Sequence, residues 1–546
     1  MASNNLSIGQ SALAAAQAGM ATAGHNIANA STPGYSRQVV VQSAAPPQEF
    51  GYGYVGRGTE IETVKRIYSD FLGKQVAAAQ SSKAELDSYY TQIRQIDNLL
   101  ADSSAGLSPA LQDFFNGVQD VASNPTSTAS RQSMLSAGEA LAGRFRLLDR
   151  RLDEIRQGVN SEITTSVGAI TSYAQQLAQL NDAIQRAEGS SHGNPPNDLL
   201  DRRDLLIADL SEEIKATVVK QDGGMYNVFI GNGLPLVVGA QAYGLKAGPS
   251  QSDPTRVEAY YNGNGVTTAV SEESLAGGRL GGLLGFRATM LDSAQNSLGR
   301  IALGLAASFN AQHMLGRDIN GYQGTAFFTV GDPLASASAA NTSGAQILPR
   351  VLDANAMTTS NYSLRYDGSQ YVLTRLNDGV TQTFASLPQS VDGVALELVD
   401  PGIPPLAGDQ FLIRPTAAGA SNFAVALKDP ARIAASLEGE VGDNRNALLL
   451  AKLQGTKSLA QGTATYEGAY GQLVSLIGNK THESEVTRAA AETTLSEAVK
   501  AQQAESGVNL DEEAAKLLLY QQAYQAAGRY MQIANQVFDV LLRLGD

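Results

Sequence analysis

The first 36 residues of this chain contain no Asp, Glu, Lys or Arg. Within them, large apolar side chains recur every seven residues, and a small residue follows each of them three positions later. The large row is Leu6, Leu13, Met20 and Ile27, and the small row is Gly9, Ala16, Ala23 and Ala30. Such a repeat predicts a helix that packs along a second helix at close range. The predicted helix begins near Asn4 and ends by Ser31, because Pro33 and Gly34 cannot continue it.

The other end of the chain has the same seven-residue spacing with larger side chains. One row is Leu510, Leu517, Tyr524, Met531 and Phe538, and the row three residues later is Tyr520, Ala527, Ala534 and Leu541. The N-terminal helix has no charge on any face, so it needs other helices packed against several of its sides. We therefore predict that the two ends pair with each other and with neighbouring copies, the C-terminal aromatic face packing on the small N-terminal row.

The sequence between the ends predicts long helices. Apolar positions of helical period cover residues 71–100, 107–121 and 134–184, and residues 466–504 contain no proline. The apolar seam of the third segment alternates steps of three and four residues, as in a coiled coil, with one extra step of four after Val159. Because so long a helix needs a partner, residues 466–504 are predicted to pack along it.

Two interruptions have the character of β-strands. Residues 216–277 and 320–428 contain short runs rich in Val, Ile, Phe and Tyr that are separated by Gly and Pro. The fold class predicted is a multidomain, mainly α chain, in which both chain ends form a helical bundle or coiled-coil rod that carries inserted β-rich domains. The predicted domains are paired terminal helices (1–35 and 507–546), a helical rod (36–215, 278–319 and 429–506), a small β-rich segment (216–277) and a β-rich insertion (320–428).

Composition argues against several classes of function. A net charge of -14 is unsuited to nucleic acid, and no run of about 18 apolar residues predicts a membrane-spanning helix. A classical cleavable signal peptide is not expected, because no Lys or Arg occurs before Arg37. The chain has no Cys, and its four His stand alone, outside any zinc-binding spacing. We predict no catalytic, cofactor-binding or metal-binding residues, so a secreted hydrolase is the weaker alternative.

Two short motifs resemble the terminal signatures of bacterial flagellar axial proteins, the subunits of rod, hook and junction. Residues 26–37 resemble the N-terminal signature, and residues 506–513 with 520–526 resemble the C-terminal one. The N-terminal signature residues are Asn26, Ile27, Asn29, Thr32, Pro33, Gly34 and Tyr35. The resemblance implies a structural protein without enzymatic activity, exported through the flagellar type III channel to the outside of the cell.

Within this group, residues 197–204, 429–434 and 442–446 resemble the proteins of the hook–filament junction. The resemblance implies a ring or short helical zone of identical copies between the hook protein and a second junction protein, hook-associated protein 3. It also implies an export chaperone on the C-terminal helix. A hook or distal rod subunit, which would share both terminal motifs, is the nearest alternative.

Overall fold

A computed structural model describes residues 2–102, 106–191, 194–221, 223–263 and 265–543. The side chains of residues 541–543 are not described, so the predicted interface residue Leu541 lies outside the described residues. The helices are α1 (Ala2–Ala28), α2 (Asp70–Leu100), α3 (Leu107–Ser123), α4 (Thr128–Ser190), α5 (Asn197–Glu213), α6 (Gly278–Phe286), α7 (Asp292–Leu315), α8 (Arg445–Lys452), α9 (Tyr466–Ser506) and α10 (Leu510–Arg543). The first eleven strands are β1 (Gln38–Ala44), β2 (Gln48–Phe50), β3 (Gly53–Val55), β4 (Thr59–Arg66), β5 (Ala216–Lys220), β6 (Tyr226–Ile230), β7 (Leu234–Val238), β8 (Gln241–Ala242), β9 (Gly244–Pro249), β10 (Val257–Gly263) and β11 (Val266–Ala269). The others are β12 (Phe328–Thr329), β13 (Leu334–Ala337), β14 (Ile347–Val351), β15 (Tyr362–Tyr366), β16 (Tyr371–Arg375), β17 (Thr381–Phe384), β18 (Gln389–Val391), β19 (Val394–Leu398), β20 (Gln410–Arg414) and β21 (Ala424–Val425).

The long helices pack side by side into an elongated helical body. Side chains of Ser69, Ser127 and Thr465 accept hydrogen bonds from the first turns of α2, α4 and α9, which fixes where these helices begin. The body contains one large apolar core, and most of the predicted apolar seam of α4 is buried in it. The predicted partner of α4 is wrong, because α9 packs along α2, whereas α3 and α5 pack along α4.

The β-rich parts form two separate groups of strands. The first consists of the sheets β5-β6-β7-β8 and β11-β10-β9, which lie on α4. The second contains the sheets β13-β20-β15-β16-β17 and β14-β19-β18, which enclose an apolar core of their own. The short strands β12 and β21 pair with each other and form a two-stranded stem between the helical body and this second group. The prediction of a mainly α chain with inserted β-rich domains is confirmed.

A β ribbon lies along α1. Strands β1 and β4 pair antiparallel, and β2 and β3 extend the ribbon as a short hairpin. At the level of Gly58, which has φ +96°, the ribbon approaches α1 closely, and the Ser11 hydroxyl accepts a hydrogen bond from the Thr59 amide at 3.3 Å. Residues 36–66 were predicted as part of the helical rod. The two hairpin strands have only three residues each, which is too short for a clear strand pattern.

A buried ionic network joins the helical body to both groups of strands. Asp253, between β9 and β10, is 2% exposed and accepts a contact from the Arg414 guanidinium of β20 at 3.0 Å. Arg256 contacts Asp253 and Asp292, and Asp292 also pairs with Arg156 of α4 at 3.0 Å. Burial opposes ionisation of the Asp253 carboxyl, but Arg414 and the Thr255 hydrogen bonds more than offset it and lower its pKa below the usual value. The β13–β20 sheet is therefore tied to the body by charge as well as by chain connection.

His313 of α7 is completely buried beside the rings of Phe309 and Phe327. Its Nε2 atom accepts a hydrogen bond from the Ala434 amide at 2.9 Å, so the ring proton is on Nδ1, which donates to the Thr325 carbonyl at 2.6 Å. A second ring proton on Nε2 would face the Ala434 N–H group. Burial, with a smaller effect of Arg131, lowers the pKa of His313 from 6.5 to about 4.

We expect His313 to weaken the helical body in acid. The pKa of His313 in the fold lies below the unfolded value. Its contribution to the free energy of unfolding is therefore fully present above pH 6.5 and falls by up to about 3 kcal/mol as the pH decreases from 6.5 to 4. Urea unfolding at pH 7, 6, 5 and 4 should therefore show a steeper decrease in the free energy of unfolding for the unmodified chain than for His313→Gln. Burial raises the pKa of Asp149 to about 6, which acts in the opposite direction in both proteins. Parallel pH profiles of the two proteins would contradict this assignment.

Candidate assembly interface

Helices α1 and α10 form an antiparallel pair that brings the two ends of the chain together. A Cβ atom built on Gly19 would lie 2.5 Å from two ring carbons of Tyr520. A Cβ atom on Gly9 would lie 2.4 Å from the sulfur of Met531. These two glycines therefore set the distance between the helices, because any larger residue would push the partner side chain away.

The residues predicted for the interface have different positions in this pair. On α1 the small residues Gly9, Ala16 and Ala23 are buried, whereas the large row is only half-buried: Leu6, Leu13, Met20 and Ile27. On α10, Ala527 and Ala534 are buried, and Leu517, Tyr520 and Met531 are half-buried. The side chains of Tyr524 and Phe538 remain 37% and 38% exposed. The pair thus buries its small residues fully and leaves part of each large side chain uncovered.

Asn26, which is completely buried, connects the ends of the chain at the base of the pair. Its amide nitrogen donates to the Gln38 carbonyl at 2.8 Å and to the Glu513 carboxylate at 2.9 Å. Its amide oxygen accepts from the Tyr35 hydroxyl at 2.6 Å and from the Gln38 amide at 2.9 Å. All four hydrogen-bonding positions of the side chain are used. We call Asn26, Tyr35, Gln38 and Glu513 the terminal joint.

The acidic first turn of α10 takes part in the terminal joint through paired charges. Glu513 is 1% exposed, and its second oxygen accepts from Lys516 at 2.7 Å. Arg37 pairs with Glu512 at 3.3 Å, and its amide donates to the carbonyl of Ser506 at 2.8 Å. Burial and the neighbouring carboxylates Asp201, Asp198 and Glu513 raise the pKa of Tyr35, so its hydroxyl remains a hydrogen-bond donor.

The segment after α1 fastens the terminal joint to α5. Gly34, with φ +76°, would bring a Cβ atom to 3.0 Å from the Leu205 side chain, so a glycine is needed there. The Ser36 amide donates to Asp201 at 3.1 Å, and the same carboxylate pairs with Arg66 of β4 at 2.8 Å.

The other signature residues have local roles. Asn29 donates to the His25 carbonyl and accepts from the Thr32 hydroxyl, whereas Thr32 and Pro33 are exposed and Ile27 is half-buried.

Further apolar side chains of α10 are uncovered on a flank away from Ala527 and Ala534. Leu519, Ile533 and Val540 are 62%, 60% and 57% exposed, and the exposed Ala526 completes this row at intervals of seven. This row was not among those predicted, which begin at Leu510 and Tyr520. Its seven-residue spacing was nevertheless present in the sequence.

Within the part of the chain that the structure describes, no group of three or more His, Asp or Glu is placed to hold a metal ion. Among the same residues, no helix is long and apolar enough to cross a membrane.

Both ends of the chain match family models of flagellar rod-type proteins. Residues 6–35 match "Flagella basal body rod protein", and residues 502–544 match "Flagellar basal body rod FlgEFG protein C-terminal". These ranges contain most of α1 and all of α10. The paired ends and the terminal joint therefore place the chain in the class of flagellar axial proteins.

The middle of the chain identifies the family within this class. Residues 93–328 match "Flagellar hook-associated protein FlgK helical domain", and residues 336–415 match "Flagellar hook-associated protein 1, D2-like domain". The chain is 38% identical to flagellar hook-associated protein 1 of Escherichia coli over 98% of both chains, and 26% identical to that of Bacillus subtilis over 97% of this chain and 96% of the relative. The chain belongs to the flagellar hook-associated protein 1 family, whose members are structural proteins and not enzymes.

A solved structure agrees with this assignment. The flagellar hook junction protein FlgK from Burkholderia pseudomallei superposes with a TM-score of 0.73 and 30% sequence identity. The match covers 79% of this chain and 99% of that structure.

Proposed function

We propose that the chain is exported by the flagellar type III system without a cleavable signal peptide and assembles outside the cell into a ring or helical zone between hook and filament. The observation that carries this proposal is the α1–α10 pair, which is held together within one subunit but leaves much of its apolar surface uncovered. Neighbouring copies would supply the cover. The chain then acts as a structural adaptor, and no chemical step is involved.

The distribution of charge in the pair supports assembly. Helix α1 contains no Asp, Glu, Lys or Arg. Three of the four acidic residues of α10 lie in its first turn, where Glu512 and Glu513 are paired with Arg37 and Lys516. Between residues 517 and 538, Arg529 is the one charged side chain. Helices with so little charge can be buried on several sides without leaving unpaired ions.

The partners follow from position in the flagellum and from the chemistry of the ends. The hook protein and hook-associated protein 3 are the proposed neighbours on either side, and the export chaperone would cover the apolar rows of α10 before assembly. Nucleic acid and membrane insertion are not part of the proposal. A hook or distal rod subunit would share the terminal helices, but the family match of residues 93–328 and 336–415 favours the junction.

The proposal is tested in a bacterial strain that lacks its own hook-associated protein 1. We expect the full chain to restore filaments on bare hooks, whereas a chain without residues 1–30 leaves the hooks bare. Electron microscopy scores the filaments, and immunoblots of the medium separate failed export from failed assembly. Filaments restored by the shortened chain would contradict the role of α1, and failure of the full chain despite export would contradict the proposed function.

A matched pair of glycine substitutions tests the packing of the terminal pair without deleting an export region. Gly19→Ala places a methyl group against the Tyr520 ring, whereas a Cβ atom on Gly24 would meet nothing within 4 Å. Overpacking costs about 1–3 kcal/mol, partly offset by the better helix propensity of alanine, which both variants share. We expect Gly19→Ala to reduce the amount of chain on purified flagella several-fold and Gly24→Ala to leave it unchanged. Equal amounts of the two variants would contradict the packing of α1 on α10 in the assembled state.

A further inference from the structure

The α1–α10 pair contains two sets of apolar rows. The rows of one set pack on each other within the subunit, and those of the other set are exposed. In the packed set, side chains of α10 such as Tyr520 and Met531 sit on glycines of α1. In the exposed set, α10 exposes the row Leu519, Ala526, Ile533 and Val540, which we call the outer aliphatic row. A single subunit offers no helix to cover it.

Helix α1 has a second row of small residues that is also uncovered. Ala14, Ala21 and Ala28 are spaced by seven residues and are all exposed, and we call them the outer alanine row. About 140° to 160° around the helix from them lie the buried small residues Ala16 and Ala23, so the two rows face different directions. Helix α1 can therefore contact two helices at once.

The two outer rows match each other in the way that the inner rows do. Both repeat every seven residues, which gives a spacing of about 10 Å along each helix. Large side chains on one helix meet small ones on the other, and neither row contains a charged residue. The outer aliphatic row is therefore suited to a second α1 helix with a flat, uncharged alanine face.

We propose that the outer aliphatic row of one copy docks on the outer alanine row of α1 in the next copy. The contact repeats between subunits the large-on-small packing that α10 and α1 show within one subunit. It joins two different surfaces, so one copy of a docked pair still has a free alanine row and the other a free aliphatic row, and the contact can continue into a closed ring or a helix. This inference rests on the proposed function and names the partner of its uncovered helix face.

The absence of cysteine from the chain allows a direct test. Leu519→Cys and Ala21→Cys, which lie at the same level in the packing of Tyr520 on Gly19, are produced as separate chains in the same junction-deficient strain, so a disulfide can form only between copies. Oxidation of purified flagella should give a band at twice the chain mass of 57.2 kDa. Gln525→Cys, an exposed residue on another face of α10, replaces Leu519→Cys in the control and should give much less of this band.

A charge placed in the row provides a second measurement. Ile533→Glu should reduce the amount of chain on flagella at least tenfold, whereas Gln525→Glu should leave it unchanged. If the flagella assemble but the cysteine pair at 519 and 21 gives no more crosslink than the control pair, the inference is overturned and the proposed function stands. Normal assembly of Ile533→Glu would also overturn it. If the unmodified chain is absent from flagella, the proposed function fails first and the inference with it.

Discussion

Replacing Asn26 with leucine should prevent the chain from joining hook to filament. The substitution removes four hydrogen bonds and leaves the buried carboxylate of Glu513 without one of its donors. At about 1 kcal/mol for each lost bond, and more for the charged one, the terminal joint should lose about 3–5 kcal/mol. A penalty of that size lowers the population of correctly paired ends by a factor of about 150 to 5,000. We expect the variant to appear in the medium while the hooks remain bare.

Asn29→Leu is the matched control, because it is the same substitution three residues later in the chain. Asn29 makes local side-chain hydrogen bonds, with His25 in the last turn of α1 and with Thr32 in the turn that follows. Its loss should cost at most about 1 kcal/mol, and filaments should form. Filaments on cells that produce Asn26→Leu, counted by electron microscopy, would show that the terminal joint is dispensable.

Replacing Asp253 with asparagine should loosen the attachment of the β13–β20 sheet to the helical body. The change leaves the buried guanidinium of Arg414 without its counter-ion and takes one of two acidic partners from Arg256. Breaking one partner of a buried ion pair costs about 3–5 kcal/mol. Hydrogen exchange should show this locally, because the Ala339 amide donates to the Gln251 carbonyl across the same contact. We expect exchange at Ala339 to become at least 100-fold faster.

An exposed ion pair supplies the control for this prediction. Glu154→Gln removes the partner of Arg151 on the surface of α4, where both side chains are more than half exposed, and should have little effect on exchange. The double variant Asp253→Leu with Arg414→Met should recover most of the protection, since it removes both charges together. Slow exchange at Ala339 in Asp253→Asn would show that the chain connections alone hold the sheet in place.

Features that depend on residues close in sequence were accessible from the sequence. The seven-residue rows predicted helices at both ends, and the strand-like runs predicted the inserted β-rich domains, because both patterns follow from the geometry of one element. The row from Leu519 to Val540 has the same kind of spacing. It was missed because the rows containing Leu517 and Tyr520 already accounted for one apolar face.

Features that depend on contacts between residues far apart in the sequence could not be predicted from sequence periodicity. The pairing of α9 with α2 instead of α4 is a choice between two long helices with apolar seams, which periodicity does not determine. The contact of Asp253 with Arg414 joins residues 161 positions apart. Asn26 stood out in the sequence only through resemblance to a family motif. Its four hydrogen bonds become visible once the two ends of the chain are folded together.

The two-stranded stem of β12 and β21 has a consequence for how such a protein can change over evolution. Phe328 pairs with Val425, and the Asn310 side chain bonds to the Phe328 amide and carbonyl, so the chain leaves and re-enters the helical body at one point. A module attached in this way can be exchanged, enlarged or lost without moving the terminal helices. Natural variation is therefore expected to concentrate in the module, while Asp253 and Arg414 change together or not at all.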